Sequence, residues 1–208
     1  MSSDIPYGLL KSIQRGTMSY RYRDVPMLKN PFDLAIYSLL LAEAQPRTLI
    51  EIGSYRGGSA MWLADVAATL GVSIHVYTVD IVKVSGVSHP SVTFLEGNAQ
   101  DLTPVLTDDF LDAAPRPLLV IEDADHYFRT CLSVLNFFDR WLSAGEYIVV
   151  EDGILSDMLV ADQYDGGPAR AIDEFLKMNR GRYVVDRAYC DYFGHNVTWN
   201  TDGFLRRL

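Results

Sequence analysis

The stretch Thr48-Leu-Ile-Glu-Ile-Gly-Ser-Tyr-Arg-Gly-Gly-Ser59 decides the fold. Its first five residues are a mostly apolar run bounded by glycine, too short for a helix, and so read as a buried strand. Glycines at 53, 57 and 58 then turn the chain. Helical spacing resumes over 59–70, with Gly71 placed to cap that helix in the left-handed conformation. A strand feeding a glycine turn and then a helix is the opening unit of a parallel sheet.

The same rhythm extends both ways. Upstream, Asn30 suits a helix cap, Pro31 its first position and Asp33 its first turn; the helix runs to about 44, and Pro46 follows. Downstream, 74–79 reads as a strand stopping at Asp80, followed by strands at 92–95, 118–121 and 147–150. Helices are expected over 128–142, closed by Gly145, and from Pro168 to about 178, with strands at 182–185 and 203–208 ending the chain. Short apolar strands alternating with helices imply an α/β fold, a Rossmann-like doubly wound sheet covered on both faces. Residues 1–29 are polar and rich in Tyr and Arg at 20–23, and read as an irregular arm on a domain spanning 30–208. A lid or an oligomer contact is the other reading of that arm.

Composition narrows the partners. Eighteen basic against 27 acidic side chains give a formal charge of −9, which disfavours nucleic acid or an anionic membrane as a partner. A chain of 208 residues, 49% of them hydrophobic, can bury a core without disulfide or metal staples. Cys131 and Cys190 are too few for a disulfide scaffold and read as small buried side chains suited to a reducing compartment. The start lacks the basic head and apolar stretch of a signal peptide, and the apolar run at 34–44 is too short to span a bilayer. A cytoplasmic location is the expectation.

The chemistry shows in what ends the strands: Glu51, Asp80, Glu122-Asp123 and Glu151-Asp152. In an open α/β sheet the ligand lies beyond the carboxyl ends of the strands, so these carboxylates share one rim. The turn 53–59 has neither the Lys-Ser/Thr pair of a phosphate loop nor the G-x-G-x-x-G spacing of a dinucleotide site. Asp80 is placed to accept ribose hydroxyls. A nucleoside without pyrophosphate fits best, and S-adenosylmethionine is the candidate, its sulfonium suited to Glu51. Asp123, Glu151 and Asp152 offer oxygen donors for a hard cation, magnesium by default. His126, three residues beyond Asp123, is the candidate base, since a metal acidifies a nearby hydroxyl that a neutral imidazole can then deprotonate. Asp125 is a competing ligand.

Several motifs together resemble the cephalosporin hydroxylase family of class I S-adenosylmethionine-dependent methyltransferases. They are Val25-Pro-Met-Leu-Lys-Asn-Pro-Phe-Asp-Leu-Ala-Ile-Tyr37, the 51–59 turn, Asp123-x-x-His126, Glu151-Asp152, Gly166-Gly-Pro168 and Gly203-Phe-Leu-Arg206. The 51–59 turn and Gly97-Asn-Ala-Gln-Asp101 are also similar to loops of catechol O-methyltransferase, and Asp-x-x-His with Glu-Asp to macrolide-sugar O-methyltransferases. The resemblance implies a mostly parallel sheet with an antiparallel last strand. It implies cofactor contacts at Glu51, Gly53, Ser54, Tyr55, Gly57, Ser59, Asp80, Ile81, Asn98, Ala99, Gln100 and Asp123. It further implies magnesium on Asp123, Glu151 and Asp152, His126 as base, and methylation of a vicinal diol on a sugar or natural-product acceptor beneath the 154–167 loop. Homo-oligomers are compatible with it. A nicotinamide-dependent oxidoreductase and a non-catalytic cofactor-binding subunit are the alternative readings.

Overall fold

The computed structural model describes residues 3–208; Met1 and Ser2, which belong to the arm, lie outside the described residues. The chain opens with helix α1 (Tyr7–Thr17) and a hairpin of β1 (Arg21–Tyr22) and β2 (Val25–Pro26). Next come α2 (Pro31–Ala44), β3 (Thr48–Ile52), α3 (Gly58–Thr69), β4 (His75–Asp80) and β5 (Val92–Glu96). The second half holds α4 (Asp108–Ala113), β6 (Leu118–Glu122), α5 (Phe128–Asp139) and β7 (Tyr147–Val150). It ends with α6 (Gly167–Met178), β8 (Tyr183–Val185), α7 (Arg187–Cys190) and β9 (Phe204–Arg207).

Seven strands form one sheet in the order β5-β4-β3-β6-β7-β9-β8. Neighbours from β5 to β7 are parallel, and β9 runs antiparallel to both β7 and β8. This is the expected doubly wound α/β sheet with an antiparallel last strand. The chain leaves β3 in one direction for β4 and β5, then returns to the other side of β3 for β6. The strand order therefore reverses between β3 and β6, and a ligand crevice opens beyond their carboxyl ends. Register places Glu51 beside Thr78 and Ile121, Ile52 beside Glu122, and Asp80 beside Glu96.

Helices cover both faces, so β3, β6 and β7 are buried along their whole length. Alternation divides their side chains between two layers. Ile50, Ile52, Val120 and Ile148 pack with Leu135 and Phe138 of α5 and Phe175 of α6. Leu49, Leu119, Ile121 and Val149 pack with Leu40 and Leu41 of α2 and Leu63 of α3. The start of α2 forms as its sequence dictates, with the Asn30 side chain accepting the Phe32 N–H at 2.9 Å. Asp33 accepts the Trp199 N–H at 3.1 Å and the Thr198 hydroxyl, which ties α2 to the loop before β9.

The arm is not irregular. Its helix α1 buries Leu10 in a small cluster with Ile5, Ile154 and Trp199. No side chain caps α1 at Pro6, and Gly8 and Gly16 lower its propensity, so burial rather than local preference makes it a helix. The hairpin is clamped to α3 by Tyr22 and Arg23, which donate to Asp65 at 2.6 and 2.8 Å. Helix α4, six residues long, was not expected from apolar spacing, although the Thr107 cap and Asp108-Asp109 announce it. Among the described residues no helix is long and apolar enough to cross a membrane.

Candidate active site

A cavity of about 470 Å³ opens at the carboxyl ends of β3, β4 and β6. One set of walls comes from the glycine turn and the strand ends: Gly53, Ser54, Tyr55, Ser59, Asp80 and Ile81, then Asn98 and Ala99 after β5. Another comes from Gln14, Thr17 and Met18 at the end of α1, with Leu155, Met158 and Tyr164 of the 154–167 loop and Trp199. Lys29, Asp123, His126 and Asp152 complete the lining.

The glycine turn owes its shape to Gly53. Its φ is +109°, and a Cβ there would lie 1.9 Å from the Asp123 carbonyl oxygen, so only glycine lets the ends of β3 and β6 pass so closely. Gly53→Ala is expected to lower unfolding stability by roughly 2–5 kcal/mol in denaturant titration. Wild-type stability in that variant would contradict the close approach.

Asp80 ties the next two segments together. Its Oδ2 accepts the Tyr55 N–H at 2.7 Å and its Oδ1 the Val82 N–H at 3.0 Å, and each oxygen keeps a lone pair for a ligand. Three expected cofactor residues stand back from the cavity lining. Glu51 is fully buried under the turn, where Oε2 accepts the Thr78 hydroxyl at 2.6 Å. Burial raises its pKa, opposed by the charge on Lys29. Gly57 supplies the left-handed start of α3, and Gln100 donates its amide to Thr130 at 3.1 Å.

The acids of β6 and β7 form the other centre. Asp123, His126 and Asp152 each bring one potential ligand atom to within 4.8 Å of the others. His126 Nε2 lies 3.3 Å from Asp152 Oδ2, while its buried Nδ1 has no hydrogen-bond partner among the described residues. Both residues are left-handed, with φ of +62° and +60°, a conformation that non-glycine residues adopt rarely and that gathers at functional sites. Glu151 is not in this group. Its Oε1 accepts the Lys29 ammonium at 2.7 Å and the Tyr37 hydroxyl at 2.6 Å. Lys29 also donates to Asp123 Oδ2, so one buried ammonium bridges two carboxylates. Asp125 is committed elsewhere, accepting the Tyr127 N–H and the Thr130 hydroxyl at 3.1 Å each at the start of α5. Glu122 is fully buried and pushed up to about 7, mainly by that burial.

Burial raises the Asp123, Glu151 and Asp152 carboxyls above the usual range; Lys29 opposes this at Asp123 and Glu151, and His126 at Asp152. Burial alone would lower His126, but the Asp152 and Asp123 carboxylates outweigh it and hold the imidazole above its ordinary value. Crowded carboxylates and an imidazole are a donor set that fits a small divalent cation such as magnesium. Sequence reasoning missed Lys29 and Tyr37 as members of the centre. The only signal lay in the 25–37 motif, where both occur without an evident chemical task.

Comparison with known proteins gives concordant matches. The family model described as Rhamnosyl O-methyltransferase/CmcI matches residues 14–208. The chain is 31% identical over 189 residues to a rhamnosyl O-methyltransferase of Mycobacterium leprae (strain TN), covering 88% of this chain and 81% of that one. Its fold superposes on CmcI in a structure with magnesium and S-adenosylmethionine, with a TM-score of 0.72 and 28% identity, covering 92% of this chain and 77% of CmcI. MycE methyltransferase from mycinamycin biosynthesis, at 15% identity and a TM-score of 0.54, shares the fold over 83% of this chain and 45% of its own.

Proposed function

Because the chain belongs to the rhamnosyl O-methyltransferase/CmcI family and is an S-adenosylmethionine-dependent O-methyltransferase that uses magnesium, we propose that it methylates one hydroxyl of a vicinal diol on a sugar or glycosylated natural product. The observation that carries this reading is the convergence of Asp123, His126 and Asp152 on one cavity that also receives Asp80 from β4, on the far side of β3. Family membership displaces the oxidoreductase and non-catalytic readings.

The cofactor half of the cavity runs from the glycine turn to Asp80 and on to Asn98 and Ala99. Asp80 would accept the ribose hydroxyls, and the backbone at Gly53 would let the methionine portion approach closely. Asp123 and Asp152 would hold magnesium, while Glu151, paired with Lys29 and Tyr37, would stand behind them. When bound, S-adenosylmethionine supplies the methyl group on a sulfonium, and magnesium supplies positive charge that acidifies an acceptor hydroxyl. His126 would take that proton at Nε2, and the imidazolium that results would then donate from Nε2 to Asp152 Oδ2, 3.3 Å away. Leu155, Met158, Tyr164 and Trp199 would offer apolar and aromatic surface for the acceptor.

Asp80→Ala is expected to weaken S-adenosylhomocysteine binding by about 10- to 100-fold, the worth of charge-assisted hydrogen bonds to ribose. Calorimetric titration checks this, and unchanged affinity would remove Asp80 from the nucleoside site. Methyl transfer to rhamnosides that carry or lack a neighbouring free hydroxyl tests the diol. Equal rates on both would show that two adjacent oxygens are not required.

A further inference from the structure

We propose that Lys29 is a built-in counter-cation of the acidic centre, holding the metal-free site together and limiting how tightly a divalent ion binds. The inference rests on the reading that Asp123 and Asp152 hold magnesium.

Lys29 is 4% exposed, and an ammonium at that depth requires partners. It has two, Asp123 Oδ2 and Glu151 Oε1. Glu151 is in turn fixed by the Tyr37 hydroxyl, and Tyr37 accepts the Asn200 amide at 3.4 Å, so the pair is anchored from α2 and from the loop before β9. The backbone beneath Lys29 is fixed as well, since the next residue, Asn30, caps α2. The ammonium position is therefore built by the fold rather than selected by a mobile side chain.

Asp123 also belongs to the group with His126 and Asp152, so the carboxylate that Lys29 holds is one that a bound cation would need. A divalent ion held by Asp123 would meet like charge from Lys29 and compete with it for that carboxylate. In the absence of an ion, the same ammonium offsets the repulsion between Asp123 and Glu151. Affinity for hard cations follows the net charge of the ligand cluster. Removing Lys29 therefore strengthens metal binding and weakens the metal-free fold, whereas losing a merely structural lysine would weaken both.

The test is calorimetric titration of manganese, then magnesium, into the metal-free full chain, together with thermal unfolding in chelator and in saturating magnesium. Lys29→Met is expected to bind either ion about tenfold more tightly, because one like charge next to the site is gone. It should unfold at a lower temperature than wild type in chelator, and magnesium should close most of that gap. Lys29→Arg keeps the charge and is expected to keep wild-type affinity. Should Lys29→Met fail to fold, Lys29→Gln, whose amide can still donate to one carboxylate, carries the same test. Equal or weaker metal binding without Lys29, alongside normal binding by wild type, would overturn this role and leave the metal site standing. A wild-type chain that takes up neither ion would overturn the metal reading and this inference with it.

Discussion

Replacing His126 with asparagine is expected to lower kcat for methyl transfer by about 10²- to 10⁴-fold, while S-adenosylhomocysteine should bind as it does to wild type. Asparagine is the informative substitute because position 126 has a φ of +62°, in the left-handed region that Asn tolerates well. It retains a polar side chain but cannot accept a proton near neutral pH. The imidazole sits against Asp152 at 3.3 Å and lines the cavity beside Asp123. The loss should therefore fall on turnover rather than on cofactor affinity. Turnover within about tenfold of wild type would remove His126 as the base, because general-base catalysis contributes more than that.

Asp152→Asn is expected to have the second large effect, because it removes a proposed magnesium ligand. Substituting partners that only orient metal ligands already costs 10- to 100-fold, so a direct ligand sets a floor of about 100-fold on the lost activity. Position 152 is also left-handed, with φ of +60°, and Asn preserves that geometry while removing the charge. Magnesium binding, followed by calorimetry, should fall together with turnover. Activity that stays undiminished and resists chelator would exclude Asp152 from any metal site.

How far the sequence foretold this site depended on how local each signal was. The Asn30 cap, the glycine turn and the rim carboxylates Asp80, Asp123 and Asp152 are written in contiguous stretches, and each forms where the pattern places it. That Asp123 and Asp152 meet was legible because acids at adjacent strand ends share one rim, whereas Glu151, expected beside them as the third metal ligand, pairs with Lys29 and Tyr37 instead. What stayed hidden depends on contacts distant in sequence. Lys29 reaches Asp123 across 94 positions and Glu151 across 122, and no spacing rule connects them. Helix α1 escaped notice because its helicity comes from seating Leu10 against Ile154 and Trp199 rather than from caps or propensity. The motif marks Glu51 as a cofactor contact but does not reveal that its side chain lies buried beneath the turn, accepting the Thr78 hydroxyl.

The central claim, a methyltransferase cofactor site at the reversal between β3 and β6, is tested most directly by titrating S-adenosylhomocysteine into the purified protein, with magnesium and again with chelator. One site with a Kd on the order of micromolar, similar in both conditions, is the predicted result and would place the metal on the acceptor side. Absence of binding in both conditions would contradict the cofactor site and the function built on it.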